Sequence, residues 1–280
     1  MSHAGRGALQ KAWDARAAAN FVCGGCGAGL IVFTVAADAR GFAAQVLLLF
    51  GLALVGTGLL CVWHELGRPR RALNVFLHPR TSWMSREAIA AALLVPVTLA
   101  TVAGVPGMAM VAAVVASAFV VCQARMLQAA RAIPAWREPL AAPLLVVTAF
   151  VEGGGLFFAM APWLRIGDAR LLAFFGSFVL VRVVVFLVYR RAIADTVPAA
   201  AQAALGRTGR VLHATAIVAL VAVSCIAAGF VGEASTFVVA SVAGIAAVAS
   251  GVDLKRVLVL RAAFKQAPAL AHLPVRGRRN

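Results

Sequence analysis

The chain has 280 residues, of which 62% are hydrophobic and only 13% charged, with a mean hydropathy of +0.93. A soluble domain carries about 45–50% apolar and about 25% charged residues, and no single core of this size hides so much apolar surface, so a water-soluble fold is excluded. The balance of 26 Lys+Arg against 10 Asp+Glu gives +16; in a membrane chain such a surplus is first a matter of loop topology, and no soluble basic domain exists to engage nucleic acid.

A helix needs about 20 apolar residues to cross the hydrocarbon core. In chain order the sequence predicts eight such spans, near 17–37, 42–63, 87–104, 107–123, 140–162, 170–189, 211–230 and 234–251. The stretch before the first is polar and basic and has no small-residue cleavage site, so that span reads as a retained helix rather than a signal peptide. Short polar breaks follow: ADAR at 37–40, GVPG at 104–107, RIGDAR at 165–170 and GE at 232–233. The interiors are rich in Gly and Ala, as expected where helices in lipid pack through small residues. The expected fold is all-α: one polytopic membrane domain over 1–280, its eight spans packed as helix bundles, with a basic cytoplasmic tail over 252–280.

Eight spans place both termini on one side, with the connections after spans 2, 4 and 6. That side holds 22 of the basic residues, counting Lys255 and Arg256 in the tail, whereas Arg40, Arg165 and Arg170 alone lie opposite and Arg182 alone lies within a span. Basic residues collect on the cytoplasmic face, so both termini are expected there. The outer turns are minimal, so a large soluble partner should dock from the cytoplasm.

The densest polar stretch is 63–87, WHELGRPRRALNVFLHPRTSWMSRE. Gly67 and Pro69 stop span 2. Leu73, Phe76 and Leu77 at helical spacing predict a short interfacial helix over 71–79, with Trp63 and Trp83 in the headgroup belt. Ser85 is the expected N-cap of span 3. A positive-inside loop with aromatic anchors accounts for some of these arginines but not for Glu87, because ionisable groups at membrane depth are functional candidates by default. His64 and Glu87 at one depth suit a quinone, whose redox cycle moves two electrons and two protons. His64 would hydrogen-bond a quinone oxygen, and Glu87 would take or give the proton.

The segment His64-Glu65-Leu66-Gly67-Arg68-Pro69-Arg70-Arg71-Ala72-Leu73-Asn74, followed by Ser82-Trp83-Met84-Ser85-Arg86-Glu87, resembles the signature of the dimethyl sulfoxide reductase membrane-anchor (DmsC-type) family, with Glu65 as an added residue. The resemblance covers most of the chain, with its specificity concentrated in this stretch. It implies the quinone-interacting subunit of a complex iron–sulfur molybdoenzyme. Glu87 and His64 would carry the quinol chemistry, with Arg68, Trp83 and Arg86 completing the site for ubiquinone or menaquinone. Arg68, Arg70 and Arg71 would dock acidic partner surface. The implied partners are a four-cluster ferredoxin-like iron–sulfur subunit and a molybdopterin catalytic subunit, with clusters and pterin confined to them. Cytoplasmic placement of the His64/Glu87 mouth is more like the sulfite-oxidising or phenylacetyl-CoA-oxidising relatives than an exported reductase, and leans toward quinone reduction in a bacterial cytoplasmic membrane. Trp13-Asp14-Ala15-Arg16-Ala17-Ala18-Ala19-Asn20-Phe21 is similar to the phenylacetyl-CoA:acceptor oxidoreductase type of anchor.

Other features were weighed. Cys23-Gly24-Gly25-Cys26 has CxxC spacing, but inside a membrane helix small-residue packing is the expected role. Haem needs facing axial ligands; only His64 and His213 lie near span ends, and no haem is expected. Glu152 and Arg182, the deepest charges, are expected to form a buried pair, with a proton relay as the alternative. A secondary transporter with a midplane site at Glu152-Gly153-Gly154-Gly155 is the rival function. A purely structural tether is the third, and it requires Glu87 and His64 to be dispensable.

Overall fold

A computed structural model describes residues 8–64, 69–164, 169–230 and 232–265. Among them the chain is all-α, with eight helices long and apolar enough to cross a membrane; it is a polytopic membrane protein. The long helices are α1 (Ala15–Ala36), α2 (Gly41–Trp63), α3 (Trp83–Val102), α4 (Met108–Gln128), α6 (Ala141–Leu164), α7 (Ala169–Ala192), α8 (Ala199–Ala227) and α9 (Glu233–Leu260). A 3-10 helix, Pro69–Leu77, precedes α3, and a single turn, α5 (Pro134–Arg137), precedes α6.

Helices α1–α4 form one group and α6–α9 a second; α1 joins them, packing on α2 and α4 on one side and on α6 and α9 on the other. Lipid tails are as apolar as leucine, so association in a bilayer depends on close packing rather than on hydrophobic driving force. Glycine allows that approach. A Cβ on Gly27 would strike the Gly51 carbonyl of α2, one on Gly153 would strike the Gly29 backbone of α1, and Gly155 and Gly244 stand in the same relation between α6 and α9. The buried part of α1 runs almost continuously from Gly24 to Ile31. Cys23 and Cys26 ride on this packed helix as free thiols.

The helix bounds depart from the predicted spans where charge misled the reading. α8 begins 12 residues before 211 and α9 continues to Leu260, because a helix need not end where the hydrocarbon ends. The tail predicted from 252 therefore starts after α9, and Lys255 belongs to the helix. α3 begins at Trp83, capped by Ser82, whose Oγ accepts from Ser85 N at 3.3 Å. Ser85, expected as the cap, is buried in the first turn, which moves Glu87 from the first turn to the second and inward.

The described ends meet at one end of the bundle. Gln10 N donates to Ala263 O and Lys265 N to Ala8 O, both at 2.9 Å, and Leu9 bridges Phe264. Gln10 Nε2 also reaches Val259 O, and Trp136 Nε1 donates to Leu258 O. Arg125, Arg137, Arg190 and Arg191 lie in the last turns of helices that finish here, where cations complement the helix dipole.

Candidate functional site

At this basic end a cavity of about 530 Å³ opens between the start of α1, the end of α2, the 3-10 helix and the start of α3. Its walls are apolar and aromatic: Trp13 and Phe21 from the α1 side, Leu59, Val62 and Trp63 from α2, and Ala72 and Val75 from the 3-10 helix. Trp13 is held by stacking on Phe21 (centroids 5.8 Å) and on Trp136 (4.9 Å). The 3-10 helix turns Ala72 and Val75 to the cavity and leaves Leu73 (72% exposed) and Leu77 (67%) outward, as a segment lying in the lipid interface requires.

Among the described residues, two polar groups other than indoles line this cavity: Glu87 and Asn20. Glu87 is only 4% exposed. Its Oε1 accepts from Asn20 Nδ2 and from Gln123 Nε2, each at 3.3 Å, and Gln123 Nε2 also donates to Asn20 O at 3.0 Å. No cation is paired with this carboxylate among the described residues. Asn20 Oδ1 is buried without a hydrogen-bond partner among the described residues, and such a group costs free energy unless something donates to it. A hydroxyl or protonated oxygen of a planar ligand in the cavity would fill that role.

The other predicted site residues are distributed around this cavity. His64 is the C-cap of α2, directly after the lining residue Trp63; its ring is exposed, lies edge-on to the Trp63 ring at 5.5 Å, and its carbonyl accepts from Arg16 Nη1. Asp14 caps α1 and is held by Arg16 Nε at 2.9 Å, and these hydrogen bonds from Arg16 keep its carboxyl below the usual carboxylate range. Trp83 and Arg86 do not line the cavity. The Arg86 guanidinium lies 4.2 Å above the Trp83 ring and donates to Pro79 O and Arg80 O, fixing the turn that leads into α3. Arg125 approaches the same ring from α4 at 5.9 Å. Arg68 lies outside the described residues, as do the side chains of Arg70 and Arg71.

A second polar cluster lies on the far side of α1, and here the structure corrects the expected pairing. Glu152 is ion-paired with Lys255, not Arg182, and all three are at most 1% exposed. Lys255 Nζ also donates to Phe21 O at 2.7 Å. Arg182 instead donates to Ala247 O (3.3 Å) and Ser250 Oγ (3.0 Å) on α9. The expected pairing differs because Lys255 stands next to Arg256 and reads as tail, whereas α9 carries it one turn beyond Gly251. Gly153, Gly154 and Gly155 do not break α6; they are closed by Gly29, Phe33 with Phe175, and Gly244. His213 Nδ1 lies 2.5 Å from Gly209 O of its own helix, and its ring packs edge-on against Phe186.

Asn20, Gln123 and Lys255 were not singled out from sequence as site residues. The available signal was polarity: an amide in the middle of an apolar span is as conspicuous as a charge. No family model matches the chain, and no curated protein matches it.

Proposed function

We propose that this chain is the membrane-anchor subunit of a multi-subunit molybdenum or tungsten iron–sulfur oxidoreductase, and that it binds quinone in the Glu87 cavity and passes electrons to it from a docked iron–sulfur subunit. The observation that carries this reading is the cavity itself: apolar walls ending on a buried carboxylate and an amide oxygen that, among the described residues, have no cation and no donor respectively. Ligand sites of this kind place a few polar groups in an otherwise apolar cleft. Glu87 exchanges a proton with a quinone oxygen, and Asn20 Oδ1 accepts from the quinol hydroxyl. His64, beside Trp63 at the protein surface, exchanges protons with water.

The membrane is the bacterial cytoplasmic membrane, and the basic end faces the cytoplasm. A four-cluster ferredoxin-like subunit docks there on the arginine-rich turns, including Arg68, Arg70 and Arg71, and a molybdopterin subunit docks behind it. Cytoplasmic placement favours quinone reduction, as in the sulfite-oxidising and phenylacetyl-CoA-oxidising complexes. Against the transporter reading stand the dense packing around Gly153, Gly154 and Gly155 and the complete burial of Glu152.

Two measurements test the proposal. Purification from native membranes in mild detergent should yield the chain with a ferredoxin-like protein and a metal–pterin protein; recovery alone, without iron or pterin metal, overturns it. Decylubiquinone should quench the fluorescence of Trp13 and Trp63, and the quenching should be weakened in N20A. Unquenched fluorescence removes the quinone site.

A further inference from the structure

We infer that Gln123 of α4 is a positioning residue for the Glu87 site: together with Asn20 it occupies one carboxyl oxygen of Glu87, Oε1, and so makes Oε2 the oxygen that carries the exchangeable proton. This rests on the quinone reading above.

Gln123 is 3% exposed and is the one polar member of the buried face of α4, which otherwise consists of Ala112, Ala116, Phe119, Val120, Ala124 and Leu127. An amide in such a place costs free energy unless its hydrogens are used. Both are used, because Nε2 donates to Asn20 O at 3.0 Å and to Glu87 Oε1 at 3.3 Å. A main-chain carbonyl can only accept, so Asn20 O fixes which end of the amide faces it and directs the second hydrogen at Glu87. Asn20 Nδ2 brings another donor to the same carboxyl oxygen at 3.3 Å. Gln123 does not belong to the cavity wall formed by the described residues; it acts on the ligand site through Glu87 and Asn20.

All four helices of the first group are arranged around this contact. A Cβ on Gly24 of α1 would stand 2.7 Å from Gln123 Nε2, and one on Gly58 of α2 would stand 3.0 Å from Asn20 Oδ1. Thus α1 supplies the main-chain acceptor, α2 the room for the Asn20 side chain, α3 the carboxyl and α4 the second donor. A glutamate side chain turns about three bonds, and the two amides are the hydrogen bonds that hold this carboxyl in one orientation.

The chemical consequence follows from lone pairs. A carboxylate oxygen has two acceptor sites. Two N–H donors fill both on Oε1, so a proton added to Glu87 goes to Oε2, the oxygen left to the cavity. In each transfer the Oε2–H bond breaks as an O–H bond forms on a quinone oxygen, and Glu87 stays ionised until water returns the proton. Quinol formation takes two such transfers and two electrons from the iron–sulfur subunit. Without Gln123 one acceptor site on Oε1 is freed, the proton divides between the two oxygens and the carboxyl turns more freely. A bound quinone then meets a proton in line with its oxygen less often.

Gln123→Met keeps the volume of the side chain and removes both donors. The test uses the intact complex, its clusters reduced with dithionite and mixed with decylubiquinone. Q123M should leave tryptophan quenching within about twofold of wild type and slow cluster reoxidation, followed by stopped flow, about tenfold. On an E87Q background no proton is left to place, and the same substitution should change the rate by less than about twofold, because residues acting through one contact are not additive. A Q123M complex that reoxidises at the wild-type rate, that loses quenching, or that slows E87Q as much as it slows wild type overturns the assignment and leaves the quinone site standing. If Q123M does not assemble, Gly24→Ala, whose methyl displaces the Gln123 amide, takes its place with the same outcomes. Wild-type protein that shows no quenching by decylubiquinone overturns the quinone reading itself, and this inference with it.

Discussion

Glu87 and Glu152 are both carboxylates enclosed by apolar helices, yet they are held in opposite ways. Glu87 rests on two neutral amides and faces a cavity. Glu152 is sealed, with Lys255 bonded to it and Arg182 near on the neighbouring helix. A carboxylate held only by amides has no fixed counter-charge, so gaining or losing a proton breaks no ion pair. One held by a cation is also a cross-brace, here tying α6 to α9 and, through Phe21 O, to α1. Removing part of the brace should therefore cost stability, whereas changing Glu87 should cost chemistry.

The largest expected effect comes from leaving one charge without its partner. Lys255→Ala strands Glu152 and should destabilise the protein by about 3–5 kcal/mol, read as loss of the monodisperse peak after heating in detergent; E152Q/K255M should recover most of it. A K255A protein that melts with wild type would show that the brace carries no load. Next, Glu87→Gln keeps an oxygen that can accept from Asn20 and Gln123 but removes the exchangeable proton. Quinone-coupled turnover should fall roughly 10²-fold or more with the melting temperature nearly unchanged, and retention of turnover would make Glu87 structural. Between the two sites, Gly153→Val sets a side chain against the Gly29 backbone, which cannot yield, and should cost about 1–3 kcal/mol or more. Gly56→Ala, which meets nothing within 4 Å, is the control. Asn20→Ala should weaken decylubiquinone binding about tenfold, the worth of a buried hydrogen bond.

The smallest effect lies outside both clusters. Because Arg16 lowers the pKa of the Asp14 carboxyl in the folded state, its contribution is fully present above the ordinary carboxylate value near about pH 4. It is lost as pH falls through the lower folded value. D14N should remove this part of the acid dependence of the melting temperature; an unchanged acid limb would show that the cap contributes nothing through titration.

Most of the architecture was legible before any coordinates, since eight apolar runs separated by short polar breaks leave few alternatives in a bilayer. Charge located the end of the molecule where the cavity lies, and the dense stretch 63–87 pointed to Glu87. The same emphasis on charge went wrong at Lys255, which was counted with the tail because Arg256 follows it, and at Arg182, which was paired with Glu152 because both are deep. Depth along the membrane can be read from residue counts; azimuth around a helix cannot be read so easily when every face is apolar. Trp83 and Arg86 illustrate the same limit: they flank Glu87 in the motif, yet their side chains fix the preceding turn while Glu87 points inward.

Composition, span length and the distribution of arginines were enough to determine an all-helical membrane protein with a polar mouth at its basic end, because lipid allows a single chain few other ways to satisfy its backbone. Which polar groups meet inside it was decided only by tertiary packing. Asn20 reaches Glu87 across 67 residues and Lys255 reaches Glu152 across 103. These contacts depend on the angle at which each helix is turned toward α1, and small residues such as Gly24, Gly25 and Gly251 leave the space in which they form.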